Sequence, residues 1–293
     1  MTRAGGRADF SWLVLAATAC LLLGAVFFYL NSSRRPNVPN AGIAASNPPV
    51  ASPPPVFEPP LPSGTAVPAA EIGIIIDDFG ASWANVDRCL ALPVEIAVAV
   101  IPHLASSVRV AEAAHARGFD VFLHQPMQPH GYPREDPGRY GIYLRQSPEE
   151  ISAILQENIA SLRVPLAGVN NHMGSLATET PRVMEPFFDA FPRRLIFLDS
   201  RTSVRSIAYD AARSRGISAL KNNVFLDAVR DSAAIVRAFD QLERQARSHK
   251  FAIGIGHVES PETLRVLEER LPRLPQEGIR LVRLSHLIAR PRT

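Results

Sequence analysis

The segment IGIIIDDFG, residues 72–80, is a short β-branched apolar run that stops on two adjacent carboxylates, Asp77 and Asp78. A run of this kind bounded by a turn signal has the composition of a buried parallel strand, and the C-terminal ends of parallel strands are where α/β folds keep their chemistry. Two carboxylates buried together repel and one pKa climbs, so without a counter-charge such a pair belongs in a solvated turn or a helix cap. Other strand-like runs also end in residues able to bind a metal or move a proton. His103 follows the second run, His124 ends the third in LHQPM, Asn170, Asn171 and His172 close the fourth, Asp199 closes the fifth in FLDSRTS, and His257 ends IGIGH. One aspartate with two histidines is a donor set that suits zinc or a similar divalent ion, with positions left over for water and substrate. Among the remaining histidines, His115 and His249 fall on helix-like stretches and read as surface residues, His286 reads as structural, and His130 lies in the polar loop 130–143. His103, after Ile101 and Pro102, fits a pocket wall and a turn equally well.

Bringing these residues together requires parallel strands. From Glu71 onward, β-like runs at 72–76, 94–100, 119–123, 167–170, 195–198, 217–219, 251–255 and 279–282 alternate with amphipathic stretches at 106–117, 148–162, 233–248 and 261–270. This is the pattern of βα units on a parallel sheet. Their number predicts an α/β fold, a distorted or incomplete (β/α) barrel of about seven units, rather than a flat doubly wound sheet. A barrel gathers all the strand ends on one rim. The punctuation agrees: Ser147-Pro148-Glu149-Glu150 is an N-cap, a proline at the first helical position and acids in the first turn, while Gly118 and Gly216 stand where helices end.

The chain before this domain is different material. After a short tail at 1–9, residues 10–30 form an uncharged run long enough to cross a bilayer, which predicts a transmembrane anchor. Acylation at Cys20 is the alternative, opposed by the further mostly apolar residues that follow it. Residues 31–70, rich in Pro and Ala, cannot bury enough apolar surface to fold and predict a disordered linker to a domain at 71–293. Arg3 and Arg7 precede the anchor and Arg34 and Arg35 follow it, so positive charge alone does not decide the topology. The two cysteines, Cys20 and Cys89, make no disulfide framework. A net charge of +3, carried by arginine with Lys221 and Lys250 the only lysines, and no basic stripe interleaved with aromatics, argue against nucleic-acid binding. No feature of the sequence fixes an oligomeric state.

IIIDDFG at 74–80, FLHQPMQP at 122–129, GVNNHMGS at 168–175, FLDSRTS at 197–203 and GIGHVESPETL at 254–264 together resemble the divergent polysaccharide deacetylases, distant relatives of the chitin and peptidoglycan deacetylases. The resemblance implies a distorted (β/α) barrel and a metal-dependent hydrolase that removes N-acetyl groups from a carbohydrate polymer. It makes Asp77 the general base and Asp78 a metal ligand, alongside His124. Amide hydrolysis also needs a proton for the leaving amine, a role that falls to His257. Glycines around His257 and in GVNNHMGS would let backbone N–H groups approach an oxyanion. Asp199 and Arg201 are expected to support a catalytic group or contact the sugar, with Asn171 and His103 as further neighbours of the site. Two departures stand out. Relatives carry a second histidine four residues after the first, where this chain has Gln128, so the third ligand is assigned to His172. The arginine-proline motif that orients the base has no match, and Arg201 is its expected substitute. The anchor and linker then suggest a single-pass inner-membrane protein with its domain in the periplasm, acting on a cell-envelope glycan. The alternative is a non-catalytic glycan-binding or scaffold protein on the same fold.

Overall fold

In the computed structural model, which describes residues 70–287, the strand-like runs form one curled sheet of parallel strands with helices on its outer face. The strands are β1 (Ala70–Phe79), β2 (Ala97–Val100), β3 (Asp120–Met127), β4 (Gly168–Met173), β5 (Ile196–Asp199), β6 (Ala219–Lys221), β7 (Val224–Phe225), β8 (Phe251–His257) and β9 (Ile279–Leu281). They pair in the order β6-β5-β4-β3-β2-β1-β8-β7, while β9 lies beside the start of β1. The helices are α1 (Val86–Cys89), α2 (Ser107–Ala116), α3 (Pro148–Ser161), α4 (Pro181–Asp189), α5 (Ala208–Ser214), α6 (Ser232–His249) and α7 (Pro261–Arg270). This architecture agrees with a distorted (β/α) barrel.

The two ends of the sheet are consecutive in the chain. β6 pairs with β5 and β7 with β8, and only Asn222 and Asn223 separate them. The Asn222 N–H donates to the Asp199 carbonyl on one side, at 2.9 Å, and the Asn223 N–H to the Ile253 carbonyl on the other, at 3.0 Å. Asn223 also accepts from the Ile253 N–H through its side chain, at 2.8 Å. One bent strand therefore leaves the first edge and joins the last, with asparagine side chains satisfying backbone groups that a regular ladder would satisfy. β7 is absent from the strands expected from sequence.

Side-chain alternation gives the sheet two apolar faces. Ile75, Ala97, Ala99, Phe122, Leu198, Leu220, Ile253 and Ile255 fill the inside of the curl. Leu284, in the short turn Leu284–Leu287, packs against this set near the start of β1. It comes so close that a Cβ at Gly73 would lie 2.6 Å from its side chain, so a larger residue there would displace Leu284. Outside, Ile74, Ile76, Val98, Leu123 and Phe197 pack with the helix residues Phe187, Phe188, Phe239 and Leu242. This packing overrides local preference in α4, whose interior Pro186 would cost an isolated helix roughly 3 kcal/mol. The buried Phe187 and Phe188 contribute about 1.5–3 kcal/mol each. α3 starts as its sequence predicts: the Glu150 N–H donates to Ser147 Oγ at 3.2 Å, and the Ser147 N–H to the Glu150 carboxylate at 2.7 Å.

Among the described residues no helix is long and apolar enough to cross a membrane. The expected tail, anchor and linker, up to residue 69, lie outside them.

Candidate active site

Adjacent residues on a regular strand point to opposite faces, so Asp77 and Asp78 can share a site only if β1 is interrupted. The sequence suggested that the strand ends at the pair. Instead it continues to Phe79 and carries a bulge: Ile76 pairs with Val98, but Phe79 pairs with Val100. Asp78 sits in the left-handed region with φ 67° and is the residue that is out of step. A bulge re-aims one side chain without ending the strand. Asp77 keeps the inward parity of Ile75, and Asp78 is turned toward the same rim.

The two-residue period also places His124, Asn170, His172 and His257 inside. His124 lies two residues beyond Phe122 and opposite Asn170 in the β3–β4 register, His172 lies opposite Pro126, and His257 is the direct partner of Asp77. Asp78 Oδ1 lies 3.2 Å from His124 Nε2 and 2.9 Å from His172 Nδ1. Neither contact has hydrogen-bond geometry, and this oxygen is the one buried side-chain polar atom among the described residues with no hydrogen-bond partner. One donor atom from each of the three residues falls within 4.8 Å of the others. An acid oxygen left unsatisfied between two imidazole nitrogens is what a cation site of the Asp-His-His type presents, so these residues fit a divalent metal.

Asp77 is fully buried, and the Asn170 amide group donates to its two oxygens at 2.9 and 3.0 Å. The same amide accepts at its oxygen from His124 Nδ1, 2.9 Å away. Burial pushes the Asp77 carboxyl above its ordinary range despite the pull of His124 and His257, a direction that suits a proton acceptor. Burial also raises Asp78, but His124 and His172 outweigh it and hold that carboxyl low. For His124, burial disfavours charge and the two aspartates outweigh it, so its pKa is raised.

Across the rim, His257 Nδ1 is 2.7 Å from Asp227 Oδ1. The other Asp227 oxygen accepts from the His257 N–H at 2.8 Å and from the Thr263 hydroxyl at 2.7 Å. Burial works against the imidazolium, yet Asp227 with Asp77 and Asp78 raises His257 to about 9, so it is charged at neutral pH. Asp227 is itself held low, its burial outweighed by His257. The sequence reading assigned no role to Asp227 or Asn170. A signal existed for the first: VFLD at 224–227 is an apolar run ending in a carboxylate, the same pattern as IFLD at 196–199.

The other expected residues lie elsewhere. Asp199 has the outward parity of Phe197, is fully buried, and accepts from the Ser206 hydroxyl at 2.7 Å and from the Arg201 N–H at 2.8 Å, organising the loop into α5. Burial raises its pKa against these hydrogen bonds. The Arg201 guanidinium donates to the Val204 carbonyl at 3.4 Å, and no contact joins it to Asp77. Asn171 accepts from the Ser200 N–H at 2.9 Å and donates to the Met173 carbonyl at 2.7 Å, tying the ends of β4 and β5. His103 stacks on Tyr140 at 3.6 Å and meets Asn158 Oδ1 at 3.0 Å, away from the Asp78 cluster. Gln128 accepts from the Leu144 N–H at 2.9 Å, which commits its side chain to the 128–147 loop. On the side of the sheet away from the site, Cβ atoms at Gly254 and Gly256 would meet Leu242 and Thr263.

A curled parallel α/β sheet, a distorted barrel, thus gathers a buried carboxylate, an Asp-His-His cluster and a His–Asp pair at its strand ends. Residues 74–288 match the model of the divergent polysaccharide deacetylase family, and the chain belongs to that family. An uncharacterized protein of Haemophilus influenzae is 35% identical over 219 residues, 74% of this chain and 76% of that one. The uncharacterized protein YibQ of Escherichia coli is 35% identical over 233 residues, 79% and 71% of the two chains. The crystal structure of the uncharacterized protein ATU2773 from Agrobacterium tumefaciens C58 shares the fold, with a TM-score of 0.70 at 24% identity over 78% of this chain and 92% of that one.

Proposed function

We propose that the chain is a metal-dependent hydrolase that removes N-acetyl groups from a cell-envelope polysaccharide. The observation that carries this reading is the Asp78 oxygen buried between His124 and His172 without a hydrogen bond, on the same rim as Asp77 and the His257–Asp227 pair. Leaving such an atom unsatisfied costs about 1–3 kcal/mol or more, which a bound cation would offset. Asp78, His124 and His172 would hold the ion, and their chemistry favours zinc. When bound, a divalent ion supplies Lewis-acid polarisation of an acetyl carbonyl and a lowered pKa for water. Asp77 takes the proton of the attacking water through its carboxylate. The imidazolium of His257, its Nδ1 committed to Asp227, delivers the proton on Nε2 to the departing sugar nitrogen. That proton transfer breaks the C–N bond without expelling an amide anion.

The test is acetate release from N-acetylated oligosaccharides by the purified full-length chain, before and after chelation. Activity that survives complete metal removal refutes the reading. Saturable glycan binding with no acetate release, metal-loaded or not, indicates the non-catalytic alternative. The uncharged run at 10–30 and the Pro-rich stretch after it support a further part of the proposal, a single-pass anchor in the inner membrane with the domain in the periplasm. Protease accessibility in spheroplasts checks it, and a domain protected until the membrane is lysed contradicts it.

A further inference from the structure

We infer that Asn170 is the positioning residue that sets the tautomer of His124 from the orientation of Asp77, making the base and the metal ligand one hydrogen-bonded unit. The inference rests on the metal-site reading above and names a residue that reading does not need. The argument runs through hydrogen-bond polarity. Both Asp77 oxygens lie within 3.0 Å of the same Asn170 nitrogen, and in the carboxylate form that serves as the base they can only accept, so the amide N–H group faces Asp77. The amide oxygen then has to face the other way, where it lies 2.9 Å from His124 Nδ1. An amide oxygen cannot donate, so Nδ1 must carry the proton. In the neutral ring that ligation requires, the single proton is then on Nδ1, and Nε2, 3.2 Å from Asp78, is the nitrogen with the lone pair.

Asp77, His124 and Asn170 are all buried, which shields this relay from bulk solvent. The sheet fixes its geometry: Asn170 and His124 are direct neighbours in the β3–β4 register. A third contact, from the amide nitrogen to Ser200 Oγ at 3.3 Å, holds the same face of the amide. The amide orients two groups at once, its N–H group facing Asp77 and its oxygen facing His124. A guanidinium has no acceptor and could serve Asp77 alone.

Two substitutions in the full-length chain separate this from a merely structural role. Asn170→Ala removes both arms and is expected to weaken zinc binding roughly 10–100-fold, measured by competition with a chromogenic chelator, and to lower kcat. Asn170→Asp keeps an acceptor for His124 Nδ1–H but sets a like charge against Asp77. It is expected to hold zinc as tightly as the wild type while kcat falls. Zinc affinity of the alanine variant equal to the wild type overturns the inference, as does equal loss of affinity in both variants. Wild type that takes up no zinc is a different result, since it refutes the metal reading itself. Should the alanine variant fail to fold, nitrogen-15 histidine labelling of the zinc-loaded wild type decides the matter. A protonated His124 Nδ1 is expected, and a proton-free Nδ1 overturns the proposal.

Discussion

On one side of the rim Asp78 presents an oxygen to His124 and His172 that no hydrogen bond satisfies, whereas on the other Asp227 has both oxygens occupied, by the His257 ring and backbone and by Thr263. Both are carboxylates beside histidine at the end of a parallel strand, and both are held below the ordinary range. The difference lies in what completes them. The protein completes Asp227 itself, so the charge on His257 is a property of the folded chain. Asp78 Oδ1 has no such partner in the chain, and under the proposed function a bound cation would complete it.

Breaking the incomplete side should have the largest effect. Asp78→Asn keeps the backbone conformation and removes the anionic donor, so zinc uptake should be lost and kcat/KM should fall roughly a thousandfold or more, as expected when several kcal/mol of metal assistance disappear. Steady-state acetate release checks this, and a variant that retains activity merges the two sides. On the completed side, His257→Gln should lower kcat by about 100–10,000-fold while zinc affinity, read by chelator competition, stays unchanged. Loss of zinc together with kcat would mean that His257 belongs to the other half.

A sharper separation comes from pH. His257 is raised from its ordinary value to about 9, so wild-type kcat should fall as pH rises through about 9. In Asp227→Asn that alkaline limb should move toward the ordinary histidine value of about 6.5. Linkage fixes the sign for stability as well: the contribution of a raised histidine is fully present below about 6.5 and is lost as pH rises through the folded value. Denaturant midpoints across pH 6 to 10 should therefore show a decline in the wild type that is weaker in Asp227→Asn. The smallest effect should come from Asp199→Ala, on neither side. It should cost about 1–3 kcal/mol of stability by denaturant titration, with zinc affinity unchanged.

The strands that carry Asp77, His124, His172 and His257 were legible because each is an apolar run long enough to show its ending, and strand ends of a parallel sheet converge. Asp199 looked equally suitable by type. Its parity, one residue out of step with Leu198, turns it toward the helices instead, and parity cannot be read without knowing which face of β5 is inner. For Asp227 the ending of VFLD on a carboxylate was the one signal, because β7 has two residues, too few for any period to register. That strand exists because Asn222 and Asn223 carry the chain from one edge of the sheet to the other. Asn170 was visible in the sequence, two residues before His172 in GVNNHMGS, but an amide signals nothing until both of its neighbours are placed.

The left-handed backbone of Asp78 narrows the alphabet of that position to a single letter. Glycine fits the conformation best but brings no oxygen, asparagine tolerates it but brings no charge, and glutamate brings the charge on a longer side chain that tolerates it poorly. Shape and chemistry are demanded of the same residue, so any replacement forfeits one of them. A lineage that gave up the chemistry could accept glycine or asparagine here with no penalty to the fold. The identity of this one residue is therefore a compact test of whether a relative with this bulge has kept the site or only the barrel.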